Sequence, residues 1–405
     1  MIIYNNYLGD LMKQKLEDIQ KELQKLQIDG WLLYDFRRSN DLACKFLEIP
    51  FNQLLSRRFF YWIPSQGQPV KIVSSVEDPL KHLPGISLAY KGWESLDFYL
   101  DQILQNVQVI AMEYSPRNAI PYLSKVDAGT LELVKDFGVD VVSSCDLLQQ
   151  FTSVLTPQQI NTHIQAGIIL DKIAEDTWLW IARHLSNKQT INEYDVQQYI
   201  LKEFATYRCV TSDPPICAVN TNSSNPHYNP QSLTAKNIQE GDFVLIDLWC
   251  KLDREDAIYA DITRVGVASK SMTPRQQEIF RIVRDAQENA TQLVKKRIAL
   301  GQPIQGWEVD QAARSVITEA GYGDYFVHRT GHSIDTSDHG SGANIDNLET
   351  QDLRYLLPGT CFSIEPGIYL PNEFGVRLEY DLLFDLDHTI KITGGVQNQI
   401  KVLFS

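Results

Sequence analysis

Apolar positions along the chain fall into two styles, and the change comes just after residue 152. Over 12–27, Met12, Leu16, Ile19, Leu23 and Leu26 recur alternately four and three residues apart, which lines one face of a helix, and Asp29-Gly30 ends it. Short apolar runs of strand length follow at 31–35 (WLLYD), 59–63 (FFYWI), 69–74 (PVKIVS) and 107–114 (VQVIAMEY). They alternate with helix-like stretches around 94–105 and 119–134. That pattern predicts an α/β domain over 1–152. Asp35 with Arg37 and Arg38, just after a strand, reads as a solvated loop.

Beyond Val154 the chain shows a recurring helix start. Thr156-Pro-Gln-Gln159 has a capping Thr, a Pro in the first turn and a Gln three residues on. Thr190-Ile-Asn-Glu193 and Thr273-Pro-Arg-Gln276 repeat it. The predicted helices are 160–186, 191–205 and 274–299, the last closed by Gly301, with a fourth over 307–320. Strands are predicted at 241–249, 257–267, 361–370 and 375–384. Helices on mostly antiparallel strands make 153–405 an α+β domain.

Those strands carry acids in apolar surroundings. Asp247 lies within Phe-Val-Leu-Ile-Asp-Leu-Trp and Asp261 within Ala-Ile-Tyr-Ala-Asp-Ile-Thr. A hairpin symmetric about Arg254 would set the two carboxylates face to face, with Cβ atoms about 5 Å apart. Such a pair is costly when buried unless a cation neutralises it. Glu365 and Glu379 repeat the theme about residue 372, although Pro366-Gly367 can bulge the first strand. Each acid taken singly reads more simply as facing solvent, or as pairing with Arg264 or Arg377. Four in matched hairpins favour hard divalent ions with oxygen ligands, Mn²⁺ foremost.

Composition narrows the partners. The 405-residue chain has a formal net charge of −14, which argues against nucleic acid or an anionic membrane as the main partner. Six scattered cysteines without a C-x-x-C pair read as buried thiols in a reducing compartment. The N-terminus has no basic segment leading into an apolar stretch, and no run reaches the ~18 apolar residues of a membrane helix. A cytoplasmic protein is expected.

A histidine cluster adds the remaining chemistry. His328-Arg-Thr-Gly-His332-Ser-Ile-Asp-Thr-Ser-Asp-His339-Gly suggests one ligand flanked by acid/base groups, and His227 stands in an Asn/Pro-rich loop. With these strings the sequence resembles the pita-bread metallopeptidases, in their Xaa-Pro dipeptidase and aminopeptidase P branch. The segments are SNPHY, VLIDLW, YADITR, HRTGHSIDTSDHG, FSIEPGIY and GVRLE, within roughly 155–400. The N-terminal region resembles the creatinase-type domain of that branch.

The resemblance implies two divalent ions, most simply Mn²⁺ with Co, Fe or Zn as alternatives. Asp247, Asp261, His332, Glu365 and Glu379 would be their ligands. A metal-bridging hydroxide would attack the scissile carbonyl, with Glu365 carrying the proton. His227 and His339 would meet the substrate, and His328 and Arg377 would orient the ligands. The implied substrate is a small peptide with proline second, and the implied assembly is a homodimer. Three departures touch the pocket wall: a longer Asp247–Asp261 gap, Trp249 where a Gly often stands, and Asp335 where a Gly usually follows the ligand histidine. Two other readings share the fold: a metal-free creatinase-like C–N hydrolase and a non-catalytic binding module.

Overall fold

The computed structural model describes residues 2–404, with side chains from residue 14 onward. The chain divides into two compact units, Met1–Thr152 and Ser153–Ser405.

In the first unit six strands form one mixed sheet. They are β1 (Gly30–Asp35), β2 (Phe59–Pro64), β3 (Val70–Ser74), β4 (Ile86–Tyr90), β5 (Val109–Met112) and β6 (Asp140–Ser143), in the order β4-β3-β2-β1-β5-β6. Successive strand residues point to opposite faces, and both faces are covered here. Trp31, Leu33, Phe59 and Tyr61 pack with Leu16, Ile19 and Leu23 of helix α1 (Ile2–Lys25). Leu32, Tyr34, Phe60 and Trp62 form the opposite core with Leu96, Leu100 and Leu104 of the helix Trp93–Leu104. This is why the runs at 31–35 and 59–63 are apolar throughout rather than alternating. The side chain of Met12 lies outside the described residues.

Three expectations fail in this unit. The strands β4 and β6 were not foreseen, because their residues are largely exposed or half-buried and lack an apolar run. The stretch 119–134 is not one helix: Pro116 and Pro121 open separate single turns, and the helix proper is Ala128–Lys135. Asp35 is buried, not solvated, and its carboxylate accepts from the backbone N–H groups of Arg38 (3.0 Å) and Asn40 (2.9 Å).

The second unit follows a helix pair with antiparallel strands, twice over. Helices α2 (Pro157–Ser186) and α3 (Glu193–Thr206) precede β7 (Cys209–Val210), β8 (Ile216–Val219), β9 (Phe243–Leu252) and β10 (Ala260–Val267). Helices α4 (Pro274–Ala299) and α5 (Gly306–Glu319) precede β11 (Ser333–Ile334), β12 (Thr360–Ile364), β13 (Gly367–Tyr369), β14 (Gly375–Arg377), β15 (Tyr380–Phe384) and β16 (Ile390–Thr393). A last strand, β17 (Lys401–Val402), pairs parallel with β10. Thr156 and Thr273 cap their helices, bonding Gln159 and Gln276 as foreseen. The middle start differs. Asn192, not Thr190, is the cap, exchanging bonds with Asp195 of 2.9 and 3.0 Å.

Apolar side chains of β9 and β10 divide between two cores. Val244, Ile246, Leu248, Ala260 and Ile262 pack with α2 and α3, whereas Phe243, Leu245, Val265 and Val267 pack with α4 and α5. The acids Asp247 and Asp261 therefore sit in strands walled on both sides by helices. Among the described residues no helix is long and apolar enough to cross a membrane. None of the six cysteines is in a disulfide; five are buried, and Cys145 is only half-buried.

Candidate metal centre

The first acidic hairpin pairs two residues away from the expected register. Asp247 lies opposite Thr263, and Asp261 opposite Trp249, so the turn is centred on Glu255 rather than Arg254. The carboxylates are thus diagonal neighbours on one face, not directly opposed. They still meet: oxygen atoms of Asp247, Asp261 and Glu379 lie within 4.8 Å of one another.

In the second hairpin the expected centre holds. Ile364 pairs with Tyr380 and Gly367 with Arg377, both about residue 372. Pro366 interrupts both ladders, leaving Glu365 and Glu379 at opposed positions in the gap between β12–β15 and β13–β14. There Glu379 reaches the face of the first hairpin. His332, Glu365 and Glu379 form a second group with ligand atoms within 4.8 Å.

His332 is held for ligation. Its Nδ1 lies 3.1 Å from the Ser333 carbonyl, which can only accept, so Nε2 presents its lone pair to Glu365 (3.6 Å) and Asp261 (3.8 Å). Burial, then the neighbouring His339 and Arg329, keeps this imidazole far below its usual range and therefore neutral. Burial, then Glu379, holds the Asp261 carboxyl well above the carboxylate range. Burial, then Glu365 and Asp247, does the same for Glu379. Glu365 is pushed up to about 7 by burial, with Arg377 pulling against it.

Neutral donors do not satisfy this cluster. Oδ1 of Asp261 and Oε1 of Glu379 are buried with no hydrogen-bond partner among the described residues. The Thr263 hydroxyl lies 2.7 Å from Asp247 Oδ1 and 2.6 Å from Glu379 Oε2, and its single proton can serve only one of them. Buried orphan oxygens facing further acids fit hard divalent cations, and the set of four carboxylates and one imidazole is right for them.

Arginine accounts for part of the charge. Arg377 bonds Asp247 Oδ2 directly, Thr263 Oγ1 at 2.9 Å and Tyr369 Oη at 3.2 Å. The simpler reading of strand acids, pairing with arginine, thus holds for Asp247 and, at 3.8 Å from Arg377 Nε, for Glu365, but not for Asp261 or Glu379. Arg264 turns away to the backbone carbonyls of Thr263 (3.1 Å), Glu379 (2.6 Å) and Gly395 (3.0 Å).

The other histidines surround this centre. His328 gives its Nδ1 proton to the Arg329 carbonyl (2.7 Å), so Nε2 accepts from the Tyr369 hydroxyl (2.7 Å). It reaches Asp247 only through Tyr369 and Arg377. Burial, then Arg377, lowers its pKa to about 3. His339 packs its ring 4.2 Å from that of His332, yet 66% of its side chain is exposed. His227 is exposed in a loop whose Pro226 carbonyl accepts from Arg377 (3.3 Å).

Several participants escaped the sequence reading. Thr263 and Tyr369 look like ordinary strand residues. Glu193 gathers the His227 loop by accepting from Tyr228 Oη (2.6 Å), Asn222 Nδ2 (2.8 Å) and the N–H groups of Val219 and Lys236 (both 2.7 Å). Asp310 anchors the histidine segment, accepting from Arg314 and from the Thr330 N–H (2.8 Å). Asp338 joins Asp261 and His332 in a further group within 4.8 Å. A buried trio of His163, Cys361 and Asp381 stands behind Asp261, whose N–H bonds Asp381 (3.0 Å). His163 has no free lone pair for an ion, since Nδ1 donates to the Tyr259 carbonyl and Nε2 bonds Thr393 Oγ1, both at 2.7 Å.

The region that carries this cluster is similar to known proteins. Residues 163–385 match metallopeptidase family M24. The chain is 38% identical over 246 residues to a Xaa-Pro dipeptidase of Lactobacillus helveticus, covering 60% of each chain. It is 30% identical over 346 residues to YkvY of Bacillus subtilis (strain 168), named as a candidate dipeptidase, covering 82% of this chain and 89% of that one. Its fold is similar to that of the prolidase from Thermococcus sibiricus, with a TM-score of 0.61 at 22% identity over 96% of this chain and 98% of the other. An α/β unit followed by an α+β unit of pita-bread type is the shared architecture. The chain belongs to metallopeptidase family M24 and is a peptidase.

Proposed function

We propose that the protein is a dinuclear-metal peptidase that removes the N-terminal residue ahead of proline, with Asp247, Asp261, His332, Glu365 and Glu379 as the ligands. The observation that carries this reading is the pair of orphaned oxygens on Asp261 and Glu379 inside a cluster of ligand atoms. Sequence similarity to a Xaa-Pro dipeptidase supports the substrate class. An oxygen-rich ligand set favours Mn²⁺. A metal-free C–N hydrolase would leave those oxygens without purpose.

Two divalent ions held there would acidify a water near neutral pH and polarise the scissile carbonyl. The chain's own residues do the rest. Burial raises the Glu365 carboxyl to about 7 before any ion binds, and with ions bound Glu365 would be the carboxylate that takes a proton from the attacking water and returns it. A peptide bond to proline has no N–H, and its leaving nitrogen must gain a proton as the bond breaks. His227 and His339 would meet the substrate, a role their exposure supports. His328 and Arg377 act as positioning residues, because their hydrogen bonds end on Asp247.

The same reading makes this a cytoplasmic enzyme acting on small peptides. Only family likeness supports a homodimer, and gel filtration tests it. Cleavage of Xaa-Pro, Xaa-Pro-Xaa and matched Xaa-Ala peptides after Mn²⁺ loading tests the substrate. The proline-containing peptides should be cut faster; equal rates on Xaa-Ala would overturn the proline assignment and leave the metal site standing.

A further inference from the structure

Asp338 lies in a loop that the sequence marks only by its polarity, yet the structure gives it three features of a ligand. One of its carboxylate oxygens shares a group with Asp261 and His332 in which all ligand atoms lie within 4.8 Å. Ligand atoms on opposite sides of one ion are about 4.2 Å apart when each bond is about 2.1 Å, so shifts of a few tenths of an ångström would let a single ion touch all three. Its Oδ1 is buried without a hydrogen-bond partner, and only 18% of the side chain is exposed. The facing Asp261 Oδ1 is unpartnered too, on a side chain 7% exposed. Two carboxylates, each with an orphan oxygen, thus meet at an imidazole lone pair.

The loop is built to hold that position. Buried Asp335 folds it back on itself, accepting from the N–H groups of Ser337 (2.7 Å) and Ser341 (2.9 Å). Its carbonyl accepts from Tyr259 N–H (3.0 Å), just ahead of β10. Lys251 in β9 donates to the Thr336 carbonyl (2.8 Å). At Gly340 a Cβ would meet Asp335 N at 2.9 Å, so the return is tight enough to need glycine. Two of the departures noted in the sequence, Asp335 and the lengthened β9–β10 segment carrying Lys251, therefore meet in this one loop.

We propose that Asp338 is an additional protein ligand of the ion held by Asp261 and His332, giving that ion one more carboxylate than the five-residue set supplies. This rests on the dinuclear reading above. An extra anionic ligand tightens that ion and takes a coordination position otherwise open to water or substrate. The two ions should then bind with unequal affinity, and removing Asp338 should weaken one selectively.

The test uses the full-length protein stripped with chelator and titrated with Co²⁺, following binding by calorimetry and the cobalt visible absorption. The wild type should bind two ions. Asp338→Ala should weaken one of them roughly 10–100-fold and alter its absorption, with the other affinity preserved. If both affinities and the spectrum are unchanged, the inference is wrong; a raised KM for peptides would then make Asp338 a substrate contact. If Asp338→Ala loses both ions, Asp338→Asn decides. Selective loss in Asp338→Asn supports ligation, whereas joint loss with native circular dichroism makes Asp338 a loop-positioning residue and overturns it. A wild type that binds no Co²⁺ would overturn the dinuclear reading itself, and this inference with it.

Discussion

Glu113 in the first unit and Glu379 in the second are both buried glutamates near strand ends, but their surroundings treat them in opposite ways. Glu113 accepts from Trp31 Nε1 (2.7 Å), Asn40 Nδ2 (2.8 Å) and Ser144 Oγ (3.0 Å). Burial raises its pKa, and all three donors oppose the rise. Glu379 shares one threonine hydroxyl with Asp247, leaves Oε1 bare, and has Glu365 and Asp247 amplifying the effect of burial. Glu193, in the same unit as Glu379, is treated like Glu113, with donors on both oxygens. Acid burial alone is therefore not the signal of a site. Burial of several acids against each other, with oxygens left bare, is.

Four predictions press on that contrast, beginning with the largest effect. Asp261→Asn removes an acid whose charge only a cation offsets. It should abolish metal binding and nearly all turnover while circular dichroism stays native; retained activity would break the contrast at its centre. His339→Ala should lower the rate about 10²- to 10⁴-fold with metal content unchanged, as expected for a lost acid/base or oxyanion contact. Metal loss in step with rate loss would instead make His339 structural.

Glu113→Gln should do the reverse of Asp261→Asn. It sets an amide where three donors point, so denaturant unfolding should show the first unit destabilised by about 1–3 kcal/mol. Turnover per folded molecule and metal content should not change. The last prediction concerns pH. Burial pushes Glu365 and Asp338 up to about 7. Below that pH both hold protons that an ion must displace, so metal affinity should fall as pH drops through 7, by about tenfold per unit for each proton released. Calorimetry in buffers of different ionisation enthalpy counts those protons, and a pH-independent affinity would contradict the raised values.

The legibility of the molecule in its sequence follows the same physics. Strands covered on both faces announced themselves as unbroken apolar runs, and capping motifs located two of three helix starts because the cap is a local bond. The second hairpin could be registered from Glu365 and Glu379, since its five-residue turn is symmetric about 372. The first could not. Its polar segment Lys251–Asp256 does not say whether the turn centres on Arg254 or Glu255, and one residue of centre moves the pairing by two. Asp338 was illegible for another reason: an acid beside a histidine in a polar loop looks solvated until Asp335 and Lys251 are seen pulling that loop inward. Tyr369 and Thr263 were hidden because their roles depend on Arg377, which only the fold brings to them.

The central claim is that the bare oxygens of Asp261 and Glu379 belong to a two-ion centre. Elemental analysis by mass spectrometry tests it most directly, on protein stripped with chelator, reloaded with Mn²⁺ and freed of unbound metal. The account predicts two manganese ions per chain, none in Asp261→Asn, and peptide cleavage that disappears on stripping and returns on reloading. Full cleavage by protein verified to be free of metal would contradict it.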